Sequence, residues 1–161
     1  VNIFRIFEVA GAGMSAQRTR MTVVSGNLAN AETTRTPEGG PYRRRNVFFR
    51  ALPLREDFPL LLQARWPGSS SMPLRLKSRD RLEDVNSVEV VGVQASTRAP
   101  RKMYDPHHPD ADAEGYVAYP DINTMEEMTD LLSATRSYEA NLTAFNATKA
   151  LIRKLLEIGR I

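Results

Sequence analysis

IFRIFEVAGAGMSAQRTRMTVVSGNLANA, residues 3–31, contains neither proline nor aspartate and keeps one apolar rhythm from end to end. Phe7, Met14, Met21 and Leu28 recur every seven residues, and Ile3, Ala10, Gln17, Val24 and Ala31 form a companion series. Two interleaved series of this kind make the a/d seam of a heptad helix, sustained here over about four repeats. A helix of this length spans roughly 43 Å. Ala10, Gly11, Ala12, Gly13 and Ala16 thin its bulk, which lowers helix propensity but allows another backbone to approach closely. The stretch ends in Asn27-Leu28-Ala29-Asn30-Ala31, where Asn30 suits the left-handed position that often closes a helix.

The other end of the chain has the same character. In NTMEEMTDLLSATRSYEANLTAFNATKALIRKLLEIG, residues 123–159, Leu131, Tyr138, Phe145 and Ile152 repeat every seven. Met128, Thr135, Leu142, Lys149 and Leu156 supply the partner series. Asn123 with Glu126, or Thr124 with Glu127, offers two overlapping capping boxes. Glu126, Glu127 and Asp130 open the segment while Lys149, Arg153, Lys154 and Arg160 close it, an order that complements the helix dipole. Single helices are marginal in water, so each needs a partner. The simplest arrangement pairs the two antiparallel. The polar seam positions Gln17, Thr135 and Lys149 further suggest helices that complete their packing in a larger assembly.

The middle reads differently. Thr36-Pro37-Glu38-Gly39-Gly40-Pro41 is a turn, with Pro37 presetting φ and the glycines permitting positive φ. Residues 42–49 alternate as a strand, as do residues 88–95 and 116–119. In the second of these the apolar phase slips between Val90 and Val91, with Gly92 following, so a bulge or sharp bend is expected there. Residues 53–73 hold four prolines and Gly68-Ser69-Ser70-Ser71, and read as an irregular loop. The expected fold is therefore α+β. Long terminal helices (residues 1–31 and 123–161) pair as an antiparallel, coiled-coil-like unit, and a small β-rich region (residues 32–122) lies between them.

Composition narrows the chemistry. The 161 residues are 42% hydrophobic and 25% charged, with no cysteine, which removes disulfides, thiol catalysis and cysteine-ligated metals. No apolar run approaches a membrane span. The N-terminus carries Glu8 and no apolar core, so no cleavable secretory signal is expected. The net charge of +3 conceals a gradient, from +8 over residues 1–81 to −5 over residues 82–161. Arginine supplies 18 of the 22 basic residues, and guanidinium is the cation best suited to interfaces.

Two clusters carry alternative chemistry. Asp105, His107, His108 and Asp110, with Asp112 and Glu114 beyond, could ligate a divalent ion in a metal-dependent enzyme. Against this, adjacent histidines between Pro106 and Pro109 project in different directions, and the chain has no other histidine. Local turn hydrogen bonds from the aspartates are the simpler expectation. Arg43-Arg44-Arg45, followed by Phe48, Phe49 and Arg50, has the basic–aromatic composition of a nucleic-acid patch. On a strand, however, neighbouring guanidiniums leave opposite faces, and protein carboxylates are the expected targets. No Ser/His/Asp set, phosphate loop or GxGxxG is present.

A terminal heptad helix closing in Asn27-Leu28-Ala29-Asn30 and a Thr-rich turn resembles the axial proteins of the bacterial flagellum, and residues 26–49 resemble its basal-body rod members. Tyr104-Asp105-Pro106, His108-Pro109-Asp110-Ala111-Asp112, Glu114-Gly115-Tyr116-Val117 and Arg136-Ser137-Tyr138-Glu139-Ala140-Asn141 agree with that pattern. The resemblance implies a non-enzymatic proximal-rod subunit without cofactor or metal. Such a subunit is exported by the flagellar type III apparatus without signal cleavage and assembles in the periplasmic basal body. Its implied partners are further copies of itself, the rod proteins FlgB, FlgF and FlgG, and the basal adaptor FliE. Neither nucleic acid nor direct membrane insertion is implied. The seam residues Phe7, Met14, Met21, Val24, Leu28, Leu131, Leu142, Phe145 and Ile152 are then expected to carry assembly. Asn27, Asn30, Tyr138, Glu139 and Asn141 are expected to set register and helix ends, and Arg43, Arg44 and Arg45 to meet acidic neighbours.

Overall fold

The computed structural model describes residues 3–53 and 86–158, with side chains from Arg5 onward. Helix α1 runs Ile3–Ala29 and helix α2 runs Thr124–Ile158. Between them lie strands β1 (Arg45–Pro53), β2 (Asn86–Ala95), β3 (Arg101–Tyr104) and β4 (Tyr116–Tyr119). β1 pairs antiparallel with β2, and β3 with β4, as two separate two-stranded sheets. α1 is the organising element. It packs along α2 on one side and against β1 and β2 on another. The fold is thus α+β, with paired terminal helices and a β-rich middle. Of the irregular loop expected over residues 53–73, Pro53 is instead the last residue of β1, and residues 54–73 lie outside the described residues.

Local chemistry explains the helix ends. Asn123 Oδ1 accepts from the Met125 N–H at 3.1 Å, so the Asn123 register caps α2, and Glu127 is left for another role. At the end of α1, Asn30 Nδ2 donates to the Gly26 carbonyl at 2.8 Å, and Thr33 Oγ1 donates to Asn30 Oδ1 at 3.2 Å. The chain then reverses through Gly39 and Gly40, whose φ values of 91° and 76° lie where a side chain would be strained.

The strands differ from expectation in four respects, one being that β1 runs on to Pro53 instead of ending at Phe49. β1 also starts at Arg45 rather than Tyr42; in the preceding segment the Tyr42 hydroxyl bonds to Asn27 of α1 and the Arg44 guanidinium to Glu127 of α2. β2 begins two residues earlier than expected, at Asn86. β3 was not foreseen: all four of its residues are exposed, so no alternation marks it. The phase slip in β2 does appear as a bulge. Phe48 pairs with Gly92 and Phe49 with Val90, leaving Val91 as the extra residue.

The helix seam carries the main correction. The second row of α2 facing α1 is Glu127, Ala134, Asn141 and Thr148, of which Glu127, Ala134 and Thr148 are buried. The expected row fails because Met128, Leu142 and Leu156 stand exposed and Lys149 does likewise. Thr135 stays at the edge, its hydroxyl 3.5 Å from Met21 Sδ. The facing row is small and polar, so the helices come close together. An added Cβ on Gly13 would sit 2.8 Å from Asn141 Nδ2, nearer than side-chain atoms tolerate.

Candidate functional site

The least exposed side chains of the molecule include two polar ones, Asn27 and Glu127, at 1% and 0%. A buried polar group is costly unless it is fully bonded, and here the bonding is complete. Asn27 Nδ2 donates to the Arg45 carbonyl at 2.9 Å and to Glu127 Oε2 at 3.0 Å. Asn27 Oδ1 accepts from the Arg45 N–H at 2.9 Å and the Tyr42 hydroxyl at 3.2 Å. Four bonds use the whole capacity of one amide. Glu127 Oε1 accepts from Arg44 Nε at 2.6 Å, a charge-assisted bond of the strong class.

The node extends outward as a chain of charge. Arg44 Nη2 lies 3.8 Å from Asp130 Oδ2, and Arg20 Nη2 donates to Asp130 Oδ1 at 2.8 Å. Two side chains from α1 (Asn27 and Arg20), two from α2 (Glu127 and Asp130) and the segment entering β1 are therefore tied together. Burial pushes the Tyr42 phenol above its ordinary pKa; the Arg45 charge opposes this and the Glu127 charge adds to it. The Arg45 guanidinium lies over the Tyr42 ring, 5.7 Å from its centroid.

A second tie joins the turn after α1 to the 105–112 loop. Thr34 Oγ1 donates to Asp110 Oδ2 at 2.7 Å, and Arg35 Nη1 lies 3.8 Å from Asp110 Oδ1. The loop's other polar groups serve its own turns. Asp105 Oδ1 accepts from the His107 N–H, and His108 Nδ1 from the Asp110 N–H. Asp112 Oδ1 accepts from the Glu114 and Tyr116 amides. These bonds, that from Tyr116 foremost, hold its carboxyl below the usual range. Among the described residues, no three His, Asp or Glu side chains gather as a metal-ligand set. The arginine triplet is likewise divided: Arg44 turns inward to Glu127, Arg45 covers Tyr42, and Arg43 faces solvent.

The other singled-out residues fall into two groups. Phe7 meets Phe145 edge-to-face with centroids 4.7 Å apart, and Val24 is buried beside the node. Met14, Met21, Leu28, Leu131, Tyr138, Asn141 and Ile152 are half-buried along the helix pair. Glu139 and Leu142 are on the open side, Leu142 at 39% exposure. With Met125, Met128 and Leu132, Leu142 makes an apolar flank of α2 that α1 does not cover. Glu127, Arg20 and Asp130 were missed as bonding partners. A carboxylate one heptad before Ala134 was the one available signal.

Comparison with known proteins agrees with this architecture. Residues 7–35 match the family described as "Flagella basal body rod protein". Residues 113–158 match "Flagellar basal body rod FlgEFG protein C-terminal". These two stretches include most of both helices. The chain is 42% identical to the flagellar basal-body rod protein FlgC of Bacillus subtilis, with 98% of each chain covered. It is 37% identical to that of Borreliella burgdorferi and 32% identical to that of Salmonella typhimurium, again with 98% of each chain covered.

Proposed function

Because the chain belongs to the FlgC family of flagellar basal-body rod proteins, we propose that it is a structural subunit of the proximal rod. In this reading copies polymerise around the export channel and pass torque from the membrane ring to the distal rod and hook. The subunit performs no catalysis. It reaches the periplasmic part of the basal body through the flagellar type III apparatus, without loss of a signal peptide. Its neighbours are FlgB, FlgF, FlgG and the adaptor FliE, together with other copies of itself. No described helix is long and apolar enough to cross a membrane.

The observation that carries the reading is the uncovered flank of α2. Met125, Met128, Leu132 and Leu142 remain exposed although the helix is fully formed, and exposed apolar rows of this kind mark interaction surfaces. The buried Asn27–Glu127–Arg44 node supports it, because polar groups at a seam fix register more than they add stability. The deciding experiment is complementation of a non-motile strain that lacks its own FlgC. The chain restores motility, and Leu132→Ser with Leu142→Ser abolishes it while the purified variant keeps its helical circular dichroism. Full motility of that double variant would refute the role of the flank.

A further inference from the structure

Glu139 stands where a charge is hardest to accommodate. Met128, Leu132, Glu139 and Leu142 follow one another at i, i+4, i+11 and i+14, so they share one face of α2. Leu132 and Leu142, before and after Glu139 on that face, are 53% and 39% exposed, and Glu139 is exposed with them. Among the described residues no cation lies within ion-pairing distance of Glu139, Arg136 one turn earlier included. An apolar flank of this kind is a surface that another molecule covers. Covering a carboxylate without giving it a cation is strongly destabilising. The surface that meets this flank must therefore hold a cation opposite Glu139.

The chain itself carries such a place. A cleft of about 110 Å³ opens where the segment entering β1 meets the segment between β2 and β3. One water needs roughly 10–15 Å³, so the cleft admits the head of a carboxylate side chain. Arg43 lines it from the first segment and Arg98 from the second. The Ser96 N–H ties the two by donating to the Arg44 carbonyl at 2.7 Å, and Ser96 Oγ accepts from the Arg98 N–H at 3.2 Å. Pro41 and Pro100 stiffen the walls. Arg43 is exposed and, among the described residues, has no acidic partner. Arg98, its side chain 76% exposed, comes no nearer than 3.7 Å to Asp121, beyond hydrogen-bonding distance. Among the described residues Asp121 is the one carboxylate in the lining, and the third arginine there, Arg44, is committed to Glu127. Two guanidiniums thus share one distant carboxylate, and their planar forks of donors suit a second.

We propose that this cleft receives Glu139 from a second copy of this chain. The carboxylate bridges Arg43 and Arg98, and Leu132 and Leu142 are covered on either side of it. Within one molecule the groups cannot meet. Asp121, in the cleft wall, precedes the start of α2 at Thr124, and Glu139 lies roughly 22 Å along the helix from there. A second copy fits because the basic half of the chain, +8 over residues 1–81, supplies Arg43, and the acidic half, −5 over residues 82–161, supplies Glu139. Each copy gives from the middle of α2 and receives at the cleft, so the contact is heterologous and extends an array instead of closing a dimer. The inference rests on the rod-subunit reading and deepens it by naming the groups that join.

The absence of cysteine makes the contact directly testable in the full chain. Glu38→Cys sits on the exposed turn beside the cleft, and Thr143→Cys is exposed one turn after Glu139. The two variants, one of them tagged, are mixed and joined with a short bis-maleimide, and they form cross-linked heterodimers. The control pairs Glu38→Cys with Lys154→Cys, an exposed position toward the end of α2, and yields few. Adding Glu139→Lys to the Thr143→Cys partner lowers its yield to the control level, and adding Arg43→Glu to the Glu38→Cys partner restores it. Glu126→Lys, the same change of charge at an exposed position off the flank, leaves the yield as it was. Circular dichroism of each variant confirms that folding is intact. Equal yields from Thr143→Cys and Lys154→Cys, an equal loss from Glu126→Lys, or no charge-swap rescue would overturn the proposal. If cross-linking fails while the unsubstituted chain restores motility, this contact is wrong and the rod reading stands. If the chain restores no motility either, the rod reading falls with it.

Discussion

Glu127→Gln tests the buried node most sharply, because it changes one atom and one charge. The carboxylate now accepts from two donors, Arg44 Nε at 2.6 Å and Asn27 Nδ2 at 3.0 Å. Glutamine can offer a carbonyl to only one of them. Its NH2 must then face the other donor, so one of the two bonds is lost and the survivor no longer has an ionised acceptor. A hydrogen bond to a charged group contributes about 1.5–3 kcal/mol. Stripping one member from a fully buried pair costs about 3–5 kcal/mol. The smaller range applies here, since Arg44 keeps 24% exposure and a second carboxylate, Asp130, at 3.8 Å. The expected loss is therefore about 2 kcal/mol, a substantial part of the ~5–15 kcal/mol that holds a typical domain together. Urea unfolding followed by far-ultraviolet circular dichroism reads it as a lower midpoint at unchanged slope. A double-mutant cycle with Arg44→Met assigns the loss to the pair. Replacing both residues by methionine should bring stability back toward the parent, because a buried ion pair adds little over apolar packing. A Glu127→Gln chain within about 0.5 kcal/mol of the parent, the ordinary range for surface changes, would refute the reasoning.

Three further outcomes follow from the same structure. Gly13→Ala gains ~1 kcal/mol of helix propensity but drives its Cβ to 2.8 Å from Asn141 Nδ2; since overpacking typically costs ~1–3 kcal/mol, a net loss of ~1 kcal/mol should appear in urea unfolding. Asn141→Ala in the same chain should turn that loss into a gain. Leu142→Ser, at a position 39% exposed, should change the isolated chain's stability by no more than about 0.5 kcal/mol while reducing swimming in a complemented strain. Tyr42 should ionise later than an ordinary tyrosine, as a late phase of the phenolate absorbance titration that Tyr42→Phe removes. The sign follows from its raised folded pKa: the stabilisation is fully present below the unfolded value and is lost as pH rises through the folded one.

How much of this was legible from sequence depended on which residues faced which. In α1 the facing residues include Phe7, Met14 and Met21, so periodicity located the helix and its seam. In α2 one facing row is Glu127, Ala134, Asn141 and Thr148, and a search for apolar repeats selects Met128, Leu142 and Leu156 instead. Those residues are apolar because they border an open flank, and the sequence pattern does not distinguish an inner row from an outer one. The bulge at Val91 was readable because a period of two cannot slip silently. β3 was not, since Arg101-Lys102-Met103-Tyr104 is exposed on every residue. Asn27 stood out within its motif, but its partner lies 100 residues away, and no local rule connects them. The histidine loop looked like a ligand cluster because composition shows which donors are near in sequence, not which are already committed to turns.

Asn27 also has a mechanical consequence. Sliding α1 against α2 by one turn means a shift of about 5.4 Å, far beyond the reach of any hydrogen bond. The Asn27–Glu127 bond and the Arg20–Asp130 pair would have to break in the same movement, and the Arg44–Glu127 link would break with them or the segment entering β1 would leave Asn27. The pair therefore has no soft intermediate position: it stays stiff up to a threshold load and then yields at once. A shaft built from such joints would twist elastically under torque that reverses direction, without creeping out of register.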